Sequence, residues 1–84
     1  MCRNITMLRG LQPIASTEEI ESAARQYVRK VSGVSATSKK TEVAFENAVQ
    51  VIAEATTELL RELPPRLQPP PTLPSMRRPR VAKN

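Results

Sequence analysis

The sequence predicts an all-α chain: an antiparallel two-helix hairpin with a short N-terminal arm and a disordered Pro-rich C-terminal tail. Three observations predict it. Two stretches place apolar residues at steps of three and four, the period of a helix and not the alternation of a strand. Neither stretch contains Gly or Pro. Seven of the eight prolines lie in the last 21 residues, where no apolar period survives. The chain divides into a small helical domain over 1–63 (arm 1–15, helix 16–32, helix 38–63) and a basic tail over 64–84.

The arm carries Ile5, Leu8 and Leu11 at steps of three. That spacing suits a short helical turn or an extended arm with its apolar side on the domain. Gly10 and Pro13 limit any helix here. Over Ser16–Ser32 the local signals agree. Ser16 and Glu19 form a Ser-x-x-Glu capping box, with Ala15 and Ile20 placed as a staple. Ile20, Ala23, Ala24, Tyr27, Val28 and Val31 make the apolar stripe. Glu18, Glu19 and Glu21 sit at the positive end of the helix dipole, and Arg29 and Lys30 at the negative end. Gly33 stands where a left-handed cap is wanted.

The connection 33–37 is short, and such connections join antiparallel neighbours. Phe45, Ala48, Val49, Ile52, Ala55, Leu59 and Leu63 then form the longer stripe, widened by Val51 and Leu60. Pro64-Pro65 ends it, because proline lacks an N–H and disfavours a helical residue before it. Its start is open between two caps, Ser38 and Thr41. A Thr41 cap sets Glu42 in the first turn, where an anion is favoured. A Ser38 cap sets Lys39 and Lys40 there. The first helix is the shorter, so the stripe near Leu59–Leu63 is left for the arm or a second chain. From Pro64 onward the chain reads as polyproline II or disorder.

Size and composition bound the function. About 63 residues are near the lower limit for an independent core, so a staple is expected. One cysteine excludes an internal disulfide, and the absence of His and Asp argues against a metal. No cofactor motif is present. Oligomerisation remains, and a homodimer is expected. The chain has no apolar run long enough for a signal peptide or a membrane span. With a lone Cys, a cytoplasmic protein and no membrane partner are expected.

The net charge of +5 is unevenly placed. Residues 1–63 hold eight bases and eight acids, so the tail (Arg66, Arg77, Arg78, Arg80 and Lys83) carries all of the excess. Beyond its first turn the second helix sets Glu46, Glu54, Glu58 and Glu62 against Arg61 alone. A net acidic helix is a poor reader of the DNA major groove. It offers the basic tail a surface to fold back on.

Met1-Cys2-Arg3-Asn4-Ile5, the segment Gln26–Gly33, and Ala44-Phe45 with Ala48-Val49 resemble a bacterial family catalogued as domain of unknown function 2277. The resemblance covers roughly residues 1–63 and implies the helical reading without an established activity. The family's Lys-Pro-Ser-Lys loop before the second helix corresponds here to Ala36-Thr37-Ser38-Lys39, without the Pro. It implies Ser38 as the cap, and Ser38 is adopted.

Three features could carry chemistry. Cys2, exposed as the N-terminus on removal of Met1, would place a thiol beside an α-amine able to act as its base, with Arg3 and Asn4 adjacent. The plainer reading is a small apolar residue. Arg29, Lys30, Ser38, Lys39 and Lys40 meet at the hairpin pole, beside a helix N-terminus that favours anions. The plainer reading is a solvated pole. Arg77, Arg78 and Arg80 could hold nucleic acid phosphates or an acidic protein. The leading expectation is a non-enzymatic binding or interaction module. A small enzyme or redox sensor using Cys2 is the alternative.

Overall fold

The structure, a computed structural model, describes residues 5–66 and 68–77. Two helices, α1 (Thr17–Ser32) and α2 (Glu42–Glu62), form the hairpin, and a single 3-10 turn follows at Ser75–Arg77. There is no strand among the described residues.

α1 starts where its capping box dictates. Ser16 is extended, its Oγ accepts from the Glu19 N–H at 3.1 Å, and Glu19 Oε1 accepts from the Ser16 N–H at 2.9 Å. The helix ends at Gly33, at φ 73°, whose N–H donates to the Arg29 carbonyl at 2.9 Å. That left-handed conformation is cheap only for glycine.

α2 begins at Glu42, three residues later than the Ser38 cap implied. The Ser38 carbonyl does accept from the Thr41 and Glu42 N–H groups, at 3.0 and 2.8 Å. Thr41 Oγ1 accepts in turn from the Ser38 N–H at 2.9 Å. These bonds close a separate turn over 38–41, and the ladder runs on from Thr41, whose carbonyl takes the Phe45 N–H. Ser38 starts the turn and Thr41 starts the helix. At the other end the Leu63 N–H donates to the Leu59 carbonyl before Pro64 stops the ladder.

The core holds Ile20, Ala24 and Val28 of α1, Phe45, Val49 and Ala53 of α2, and Leu8 and Leu11 of the arm. The arm is irregular over 5–16 and turns at Arg9–Gly10. Burial is narrower than the apolar stripes suggest. Tyr27, Val31, Val51, Ala55 and Leu59 stay exposed, because one helix partner covers about one face of each helix.

The stretch expected to be a disordered tail lies against the domain over its described residues. Pro70 and Pro74 are buried. Proline has little backbone freedom to lose on docking, and polyproline backbone needs no ladder partner. Gly10 marks the closeness of this packing. Its φ is 95°, and a Cβ there would stand 3.0 Å from the Gln68 carbonyl oxygen and 3.1 Å from Arg66 Cδ.

Candidate functional site

Three arginines tie the tail and the arm together. Arg9 donates from Nε and Nη2 to the Pro64 carbonyl, at 3.0 and 2.7 Å. Arg66 donates from Nε to the Gln68 carbonyl at 2.8 Å and from Nη1 to Met7 Sδ at 2.8 Å. Arg77 grips Glu19 with a bidentate fork, Nε to Oε2 at 2.6 Å and Nη2 to Oε1 at 2.9 Å. Its Nη2 also donates to the Ile14 carbonyl at 2.9 Å.

Glu19 is therefore used twice. The same carboxylate caps α1 and anchors the tail, with its side chain only 4% exposed. The Arg77 guanidinium holds the Glu19 carboxyl below its ordinary pKa, against burial and with help from the Ser16 N–H. A second fork joins the helices. Arg25 donates to both Glu46 oxygens, at 2.6 and 3.0 Å, with its guanidinium carbon 5.9 Å from the Phe45 ring centroid. Its hydrogen bonds hold the Glu46 carboxyl low.

Between the arm, the C-terminal end of α2 and the start of the tail lies an open cleft of about 440 Å³. Leu8, Leu11, Ile20, Leu60 and Leu63 give it apolar walls. Arg9, Arg61 and Arg66 are the charged residues of its lining, which includes no carboxylate among the described residues. From the stripe's remainder near Leu59–Leu63, Leu60 and Leu63 line this cleft and Leu59 does not.

The sequence-predicted residues fall elsewhere. Cys2, Arg3 and Asn4 lie outside the described residues, as do Arg78 and Arg80. Arg77 is held internally by Glu19 of α1, so among the described residues the tail's ion pair is with the start of α1 and not with Glu54–Glu62 of α2. Arg29, Lys30, Ser38, Lys39 and Lys40 are all exposed at the hairpin end. Among the described residues none of Arg29, Lys30, Lys39 and Lys40 makes an ion pair, and the Ser38 and Thr41 side chains turn to each other. The sequence reading missed Arg9, Gly10, Arg25 and the role of Arg66. Gly10 was the available signal, a glycine in an arm that had no helix to end.

No helix among the described residues is long and apolar enough to cross a membrane. Comparison with curated proteins and with solved structures gives no match. Residues 1–84 are matched by the model of the family described as Uncharacterized conserved protein (DUF2277), which takes in the tail as well as 1–63, and the chain belongs to that family.

Proposed function

We propose that the chain is a non-enzymatic interaction module that acts as a homodimer, with α2 as its pairing surface. One observation carries the reading. Ala44, Ala48, Val51, Ala55 and Leu59 recur at i, i+4, i+7, i+11 and i+15, and all but half-buried Ala48 are exposed, Val51 at 55% and Leu59 at 54%. This strip lies beside the core face; Ala48 at its edge packs against the core, and the other four face outward. Its small residues let a second helix approach closely.

The pattern is self-complementary when a second α2 runs antiparallel. Ala44 then faces Leu59, Ala48 faces Ala55, and Val51 sits near the two-fold axis. The same register sets Lys40 of one protomer beside Glu62 of its partner. Neither residue has a charge partner within the chain among the described residues, and Glu62 stands at the dipole end that disfavours an anion. The small core gives the pairing a physical motive. Among the described residues Val49 alone is a large side chain with no exposure.

Sedimentation of the full chain tests this. The expected mass is twice the 9.3 kDa of one chain at micromolar concentration. Val51→Glu should give a folded monomer, since the residue is exposed and its loss leaves the core intact. A wild-type chain that stays monomeric to millimolar concentration sinks the reading.

A further inference from the structure

The cleft shares no residue with the pairing strip, and it poses a separate question. Six arginines are described, and most of the clearly bound ones are matched to carboxylates. Arg25 faces Glu46, Arg61 faces Glu58 and Arg77 faces Glu19. Arg9 and Arg66 are different. Their hydrogen bonds go to backbone carbonyls and a thioether, which are neutral acceptors. The protein positions these two charges without cancelling them. Both line the cleft.

Each guanidinium carries five N–H donors. Arg9 and Arg66 each make two hydrogen bonds within the chain, so each keeps donors for a ligand. Leu11, Leu60 and Leu63 supply apolar wall beside them. The negative end of α2 also lies here and accounts for some positive charge. It is equivalent to about half a charge, less than two unneutralised guanidiniums.

We propose that this cleft binds a small amphipathic acid, with its carboxylate on Arg9 and Arg66 and its apolar body against the leucines. The cleft's volume of about 440 Å³ falls within the ~300–1,000 Å³ of small-molecule sites. A guanidinium pair favours a carboxylate by charge and by the fork geometry of its donors. A free acid is the ligand, not a membrane headgroup, because a concave cleft with apolar wall beside the two guanidiniums fits a small molecule and not a lipid surface.

The test uses the full chain and three probes of equal length below their micelle concentrations: decanoate, decanol and decyltrimethylammonium. Amide shifts are followed by NMR. Decanoate should move the amides of Leu8–Leu11 and Thr57–Leu63 and bind at least about tenfold tighter than either other probe. Arg66→Gln should weaken decanoate about tenfold, and Arg66→Lys, which keeps the charge and loses the fork, should restore part of the loss. Because Arg66→Gln also removes a tail contact, the probe series on the wild-type chain stands as the primary measurement. Equal affinity for the three probes overturns the proposal, as do shifts confined to other surfaces. Binding to phosphatidylglycerol vesicles without binding to free decanoate overturns it too.

Discussion

Two arginine–carboxylate forks hold this chain, and they are alike in shape but not in setting. Arg25–Glu46 joins the faces of two helices across 21 residues of sequence, with side chains 33% and 42% exposed. Arg77–Glu19 joins the tail to the start of α1 across 58 residues, with side chains 20% and 4% exposed. The first pair bonds only within itself and lies in reach of water. The second also carries a helix cap on Glu19 and the Ile14 carbonyl on Arg77, so three segments meet at one ion pair. Equal geometry does not mean equal energetic weight, because solvent screens the open pair and not the buried one.

The largest expected effect follows from removing the buried charge. Glu19→Gln should destabilise the domain by about 1.5–3 kcal/mol, the range for a hydrogen bond to a charged group. Urea denaturation measures it, and a loss no greater than that of Glu46→Gln would erase the contrast between the two pairs. The same residue sets an acid dependence. The unfolded glutamate titrates at about 4.3. In the folded chain its carboxyl is held lower, first by Arg77. Its stabilisation is therefore whole above that value and is lost as pH falls through the lower folded one. Glu19→Gln should flatten this acid limb.

Gly10→Ala comes next. The positive φ alone penalises a Cβ by about 1–2 kcal/mol, and the new atom would press on the Gln68 carbonyl oxygen. The variant should loosen the tail without touching either fork. A rise in the Glu19 pKa by NMR titration would show that tail packing and the buried pair depend on each other. An unchanged pKa would separate them.

Glu46→Gln should have the smallest effect. Its fork is open to solvent, so any loss of stability should fade as salt is raised. A salt-independent loss as large as that of Glu19→Gln would make the hairpin pair the dominant one.

The two helix starts show how far the sequence was legible. α1 could be placed to within a residue because Ser16 and Glu19 answer each other at fixed spacing. α2 could not, because Ser38 and Thr41 are both competent caps and they bond to each other in a turn of their own. The hairpin and most of its core were readable from periodicity. The rotation that leaves Leu59 and Ala55 outside was not, since period does not say how many partners a stripe will find. The cleft was least legible. Arg9, Gly10 and Arg66 have no local pattern and acquire meaning only when 64–66 returns to the arm.

The cap of α1 has a consequence for the order in which the molecule assembles. Glu19 and Ser16 can close their box as soon as that segment leaves the ribosome. Arg77 emerges 58 residues later, so until then the carboxylate is a helix cap with no cation beside it. The first turn of α1 should accordingly exchange its amide hydrogens faster in a nascent chain, or in one cut ahead of Arg77, than in the full chain. A residue of the tail thus locks the beginning of the first helix.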